Sequence, residues 1–261
     1  MSQTAVQLAV AAGMLLAGVG ILPGLPGLFL AVAGVALCVW PLRSLLPKGT
    51  FSTRPVLPAS LAARALFATA FFTTETYVVL ALTRISGYPE STTGLVVTVT
   101  SLSWAAGAGL QARLDRRDEG RGRNGRVLAG VVAMALGVAV VQPVVWAPGL
   151  ALPLALAAHI ILGMGLGLAH PTSGLIAFAW APRGAEGAVT SYLLLADLFT
   201  PAVGIGVGGA LVAIAAASGS GVRTGVAAAL GLSLLFILFG LVAAYRLFRA
   251  ADQRSAGPVV A

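Results

Sequence analysis

The sequence predicts an all-α integral membrane protein with about eight transmembrane helices. Three observations carry this prediction. The chain is 58% hydrophobic and only 9% charged, with a mean hydropathy of +0.97, whereas a soluble domain carries roughly a quarter charged residues. Residues 1–42, 91–112, 127–182, 198–222 and 224–245 contain no Asp, Glu, Lys or Arg. Crossing about 30 Å of hydrocarbon takes about 20 apolar residues in a helix, so each run accommodates at least one crossing. Finally, the runs are continuously apolar, where the strands of a membrane barrel would alternate over about ten residues.

The expected helices span 4–21, 26–42, 61–83, 92–112, 126–145, 151–172, 187–214 and 224–246. The first two form a pair (1–42) joined by the tight turn Leu22-Pro23-Gly24-Leu25-Pro26-Gly27. A polar linker over 43–60 follows, then a six-helix bundle over 61–250 and a tail over 251–261. The long run 127–182 is divided at Gln142-Pro143 and at Trp146-Ala147-Pro148-Gly149.

Charge supports this order. Placing both termini in the cytoplasm puts Arg43, Lys48, Arg54, Arg64, Arg113, Arg116, Arg117, Arg121, Arg123, Arg126, Arg183, Arg246, Arg249 and Arg254 on the inner side, 14 of the 16 basic residues. Only Arg84 and Arg223 fall outside, as the positive-inside rule requires. The expected location is therefore the cell membrane, with the first helix kept as a signal anchor. The net charge of +8 is read as a topology signal, and no nucleic-acid partner is expected. Cys38 is the one cysteine, so neither an internal disulfide nor a metal-type spacing is available. No cofactor is expected. The chain has no Gly-Lys-Ser/Thr phosphate loop, no His/Glu metalloprotease pattern and no Gly-x-Ser-x-Gly elbow, and no enzymatic activity is expected.

Ionisable residues inside the apolar runs are the candidates for chemistry. An acid at the centre of a spanning helix costs about 3 kcal/mol on insertion scales, so it normally faces a cavity or a partner. Glu75 lies near the middle of the helix expected over 61–83, beside Thr73, Thr74, Thr76 and Tyr77. A carboxyl held in low dielectric resists ionisation, which suits reversible protonation. Proton or substrate-cation binding and a structural hydrogen bond to another helix are both open. Asp197 lies one turn before Pro201, where it could act likewise or cap a backbone group freed by the proline. His170 directly precedes Pro171 on the same expected helix as His159. It could relay protons or serve as an interfacial hydrogen-bonding residue. The eleven-residue spacing puts the two histidines about 16 Å apart along the axis, too far to share a metal.

The segments Leu46-Pro47-Lys48-Gly49-Thr50-Phe51 and Phe71-Phe72-Thr73-Thr74-Glu75-Thr76-Tyr77, with Gly94-Leu95 and Trp104, resemble the major facilitator superfamily. The likeness is to the 14-helix drug:proton antiporters of actinobacteria, whose extra helix pair sits between two six-helix halves. The resemblance covers essentially the whole chain, as the extra pair and the C-terminal half. It implies a major-facilitator-type bundle working by alternating access as part of a proton-coupled exporter of small molecules. Its expected partners are the lipid bilayer, the small-molecule substrate, protons, and either an N-terminal half-transporter or a second copy of the chain. A split subunit, a truncated product and a homodimer all fit this picture. A non-transporting membrane interaction protein, or a remnant of a transporter, is the alternative.

The resemblance also assigns residues. The loop Gly109-Leu110-Gln111-Ala112-Arg113-Leu114-Asp115-Arg116-Arg117, followed by Arg123 and Arg126, is similar to the family's cytoplasmic loop motif. It implies a latch formed by Asp115, Arg116, Arg117 and Arg123, although an ordinary positive-inside loop explains the arginines as well. The run Thr200-Pro201-Ala202-Val203-Gly204-Ile205-Gly206-Val207-Gly208-Gly209 is similar to the Gly/Pro-rich antiporter motif at a repeat-related position. Bending and close packing at Pro201, Gly204, Gly208 and Gly209 are expected, as is small-residue packing at Gly163, Gly165 and Gly167. Tyr77 and Trp104 become candidates for a substrate-facing aromatic wall.

Overall fold

The computed structural model describes residues 3–20, scattered positions between 26 and 50, and residues 56–255. The described positions of the helix expected over 26–42 are helical, while the rest of that segment, most of the linker and tail residues 256–261 lie outside the described residues. We label the helices α1 (Gln3–Gly20), α2 (Leu57–Ile85), α3 (Glu90–Arg117), α4 (Arg123–Val145), α5 (Pro148–Ala179), α6 (Glu186–Ala217) and α7 (Gly221–Ser255). Six of them, α2 to α7, are long and apolar enough to cross a membrane. No strand occurs among the described residues.

Each of the six is longer than the helix expected for it. The linker expected to reach residue 60 ends earlier, because Pro58 sits in the first turn of α2, where its missing N–H breaks no intrahelical bond. At the other end, α7 continues through Ser255 into the expected tail. Hydropathy measures only the part of a helix that meets lipid, and polar residues such as Arg246 and Arg249 extend the same helix beyond it. Likewise α5 runs past residue 172 to Ala179 with Pro171 inside it, so His170 is an interior residue of the helix.

The helices alternate in direction. One end of the bundle therefore gathers the α3–α4 and α5–α6 loops, the start of α2 and the end of α7, and with them most of the arginines. We call it the basic end. The main packing partners are α2 with α7, α4 with α5, α3 with α5, α2 with α6, α4 with α7, α2 with α5, and α6 with α7. Exchanging α2 with α5, α3 with α6 and α4 with α7 maps this set onto itself, apart from the α6–α7 contact. Because α2 and α5 run in opposite directions, the exchange is that of two three-helix units with inverted topology, an arrangement that recurs in secondary transporters. The shorter α1 packs against α6.

Apolar packing divides into two layers. Toward the basic end Phe67, Phe71, Val131, Met134, Leu162, Leu166, Ile237 and Leu247 form one buried cluster. Toward the other end Tyr77, Val78, Leu82, Val96, Val141, Val144, Ala158 and Leu230 form a second. Apolar burial adds little drive between helices already in lipid, so close backbone approach matters more. Here α5 uses both of its faces. A Cβ on Gly163 or Gly167 would land on the backbone of α3 at Thr100, Trp104, Gly107 and Ala108, and one on Gly165 would land on Gly130 of α4.

Gly167→Ala should therefore force α3 and α5 apart and cost about 1–3 kcal/mol. Gly109→Ala, where nothing lies within 4 Å, should leave stability unchanged or raise it. Unfolding midpoints of the two variants in the same detergent check this, and equal midpoints would refute the close crossing.

Candidate functional site

Arg64 stands in the second turn-pair of α2, about 10 Å along the axis from its first residue, and is 6% exposed. Every one of its five N–H groups has an acceptor. Nε donates to Asp197 Oδ1 at 2.8 Å and Nη2 to Asp197 Oδ2 at 2.7 Å, a bidentate pair between α2 and α6. The second Nη2 proton points to His170 Nε2 at 2.8 Å. Nη1 donates to the His170 carbonyl at 2.6 Å and to Ser173 Oγ at 3.0 Å, so the arginine joins three helices. Ser60 adds a bond from its hydroxyl to the Ser173 carbonyl at 3.0 Å. Charge-assisted, two-pronged contacts of this kind are the strong end of the hydrogen-bond range.

Local backbone chemistry explains the placement. Pro201 has no N–H to give, and the turn before it, Leu195–Phe199, is π-helical, a widening that often accompanies function. Asp197 sits in that turn. Its oxygens take the arginine, and neither caps a backbone group freed by the proline. His170 is 3.3 Å from Asp197 Oδ1 and packs edgewise on Trp104, with ring centroids 5.7 Å apart, and on Phe67 at 6.4 Å. Trp104 continues to Phe71 at 6.2 Å, and Phe71 to Phe72. Trp104, one of the two aromatics expected to face substrate, thus lies beside the charged centre with Phe71 and Phe67.

Tyr77 takes a different position. It is 3% exposed, and its hydroxyl donates to the Ile205 carbonyl of α6 at 2.5 Å. A Cβ on Gly208 would run into its ring, and one on Gly204 would meet Thr69 and Thr73. Gly204 and Gly208 are thus the small-residue side of the α2–α6 crossing, as Gly163 and Gly167 are of α3–α5. Pro201 is buried and Gly209 half-buried in the same helix.

Glu75 lies eleven residues beyond Arg64 on α2, roughly 16 Å farther from the basic end. It is half-buried and has no hydrogen-bond or ion-pair partner among the described residues. It stands level with the seam between the two apolar clusters. Thr73, Thr74 and His159 lie at the same level, and the hydroxyls of both threonines and His159 Nε2 are buried without a partner. A polar layer therefore interrupts the apolar interior at mid-bundle. The two histidines lie in different surroundings, and no metal-binding group of three His, Cys, Asp or Glu occurs among the described residues.

At the basic end the α3–α4 loop is tied by charge. Asp115 accepts from Arg123 at 2.9 and 2.7 Å and from Arg126 at 2.5 Å. Asp118, which the sequence pattern did not single out, accepts from Arg126 at 2.6 Å and from the amides of Gly120 and Gly122. Two successive residues of this turn are left-handed, Glu119 at φ 55° and Gly120 at φ 82°, and glycine takes that conformation without steric cost. Of the four residues expected to form a latch, Asp115 and Arg123 pair with each other, and with Asp118 and Arg126 they tie the last turn of α3 to the first turn of α4. Arg116 and Arg117 make no hydrogen bond or ion pair among the described residues. Arg64, counted in the sequence as one more inner-side charge, is the largest omission. Its position inside the α2 apolar pattern, once the helix is started at Leu57, is the signal that could have found it.

Removing one partner of the Arg64–Asp197 pair should cost about 3–5 kcal/mol, because a buried charge is left uncompensated. Arg64→Met and Asp197→Leu should each lower the unfolding midpoint strongly, and the double variant should recover most of the loss. Additive losses would refute the pairing. In the loop, the hydrogen bond and the charge of Arg126, with the Gly120 and Gly122 amides, hold the Asp118 carboxyl below its ordinary pKa. Its contribution to loop order is therefore complete above the ordinary carboxylate range and is lost as pH falls through the lowered value. Hydrogen exchange at Gly120 and Gly122 should speed up under strong acid, beyond the intrinsic rate change, and Asp118→Asn should show the same excess exchange at neutral pH.

No protein-family model matches the chain, and no curated protein matches it.

Proposed function

We propose that the chain is one half of a major-facilitator-type secondary transporter, a proton-coupled exporter of small amphipathic molecules that works by alternating access. One observation carries the proposal. A fully satisfied charged centre, Arg64 with Asp197, His170 and Ser173, bridges α2 of one inverted three-helix unit to α5 and α6 of the other, within the span of the apolar helices. Charges at that depth are expensive and mark substrate, ion or proton pathways. The internal exchange symmetry of the packing supports the same reading, as do the glycine-lined crossings along which helices can slide. So do the sparsely buried faces of α3 and α6, which leave room for an N-terminal half or a second copy. In this picture the basic end is cytoplasmic, in the cell membrane, and the tied α3–α4 loop braces α3 against α4.

Glu75, half-buried and without a hydrogen-bond or ion-pair partner among the described residues, is the acid to which we assign proton exchange along the transport path. Energised membrane vesicles containing the chain should move a dye or drug substrate with a rate that depends on the pH gradient. Glu75→Gln should remove that dependence while leaving membrane insertion and protein level unchanged. Proton-coupled movement that survives in the variant would take Glu75 out of the mechanism. Vesicles that move no substrate under any gradient would favour a non-transporting interaction protein.

A further inference from the structure

We propose that α3 holds one anionic phospholipid at the basic end, its phosphate between Arg113 and Arg117 and an acyl chain along Leu110, Ala106 and Leu102. The site requires the bundle to lie in a bilayer and is otherwise independent of the transport reading above.

Helical spacing puts these residues on one stripe. At 3.6 residues per turn, positions 102, 106, 110, 113 and 117 fall within a sector of about 80°, and all five side chains are exposed. Arg113 is the first charge after the run 91–112, so it stands where hydrocarbon gives way to headgroups. From there to Leu102 is about 16 Å along the axis, close to half of a hydrocarbon core about 30 Å thick. The stripe therefore matches one acyl chain of the leaflet at this end.

The two arginines have no counter-charge. The acids of the adjoining loop are taken: Asp115 by Arg123 and Arg126, Asp118 by Arg126 and two backbone amides, and Glu119 by Arg121 at 2.9 Å. Arg113 and Arg117 make no hydrogen bond or ion pair among the described residues. Like charges four apart on a helix repel. The helix dipole favours cations at this end, yet it leaves both guanidinium forks without a protein acceptor among the described residues. A phosphodiester supplies the missing acceptors. The two residues are about 6 Å apart along the axis, and their long side chains converge on one phosphate through the two-pronged contact that arginine makes with it. A zwitterionic lipid brings its own cation to the same place, so the arginine pair selects a headgroup with net negative charge.

The rest of the exposed face of α3 is chemically different. Gly94, Thr98, Ser101, Ala105 and Gly109 form a neighbouring stripe of small side chains, of the kind that lets another helix approach closely. A Cβ on Gly94 or Gly109 would meet nothing within 4 Å. Small side chains give an acyl chain little to lie against, whereas Leu102 and Leu110, 67% and 40% exposed, offer it apolar surface. The helix thus presents leucines to lipid and small residues to a protein neighbour, and the arginine pair heads the leucine stripe.

Native mass spectrometry of the purified full-length protein in detergent tests the site, with phosphatidylglycerol and phosphatidylcholine of the same acyl chains titrated separately. The first phosphatidylglycerol should bind about tenfold more tightly than the first phosphatidylcholine. Arg113→Gln/Arg117→Gln should abolish that preference and still fold, since glutamine suits a helix and no protein partner is lost. Arg121→Gln/Arg183→Gln removes the same charge from exposed positions at the same end and should keep the preference. No preference in the parent, or one that survives in the Arg113/Arg117 variant, overturns the site. Equal loss in the two variants shows diffuse charge attraction and overturns it as well. Inorganic phosphate at the lipid's concentration should not displace the bound phosphatidylglycerol, and displacement would replace the lipid by a soluble anion. Vesicles that move no substrate would sink the transporter reading and leave the lipid site standing.

Discussion

The arrangement depends on one ion pair, between the buried Arg64 and the half-buried Asp197. Arg64 and Asp197 come from helices that share no sequence neighbourhood, and neither charge is tolerable in a low-dielectric interior without the other. Their union fixes the rotation of α2 and α6 about their axes, because a bidentate guanidinium–carboxylate contact accepts little angular error. It also sets how far α5 stands from both, through the His170 carbonyl and Ser173. The small-residue crossings then have a defined register to occupy. Gly204 and Gly208 meet Thr69, Thr73 and Tyr77 because Asp197 has placed their helix one to three turns away.

Two kinds of contact divide the labour in this bundle. Glycine-lined crossings give close approach without directional preference, so they permit one helix to shift along another. Polar contacts such as Arg64–Asp197 and Tyr77–Ile205 give direction and discrete positions. On α2 and α6 the two kinds lie together, with Gly204 and Gly208 beside Arg64–Asp197 and Tyr77–Ile205. The buried threonines and His159 at mid-bundle add a third element, an apolar interior broken at the level of Glu75.

Much of this was legible in the sequence. Apolar stretches located the six helices that are long and apolar enough to cross a membrane, their starts to within a few residues, since lipid imposes length and apolarity directly. Asp197, His170 and Trp104 could be singled out as polar or aromatic groups in apolar runs, and the structure brings them together. Their common partner was hidden. Arg64 lies near the start of a helix in a chain rich in loop arginines, and composition gives no means of separating a topology charge from a buried one. Tyr77 was visible as an aromatic beside Glu75, but its burial against Gly208 depends on the α2–α6 register, which no single segment encodes. Asp118 was missed for a related reason: its partners arise from a left-handed turn at Gly120. Of the helix expected over 26–42, the described positions are helical, and Cys38 packs there with Leu8 and Ala11 of α1.

The separation of Arg64 from Asp197 along the chain, 133 residues, has a consequence for biogenesis. At the usual rate of about 5–20 residues per second, about 7 to 27 seconds of synthesis separate the arginine from its counter-charge. During that interval α2 has been made but is not electrostatically ready for lipid. Its stable residence in the bilayer has to wait for α6, and the insertion machinery, or the polar edge of the membrane, must hold it until then. Membrane integration of this bundle is therefore a late, collective event, and a nascent chain arrested before residue 197 should leave α2 as the helix most exposed to quality-control proteolysis.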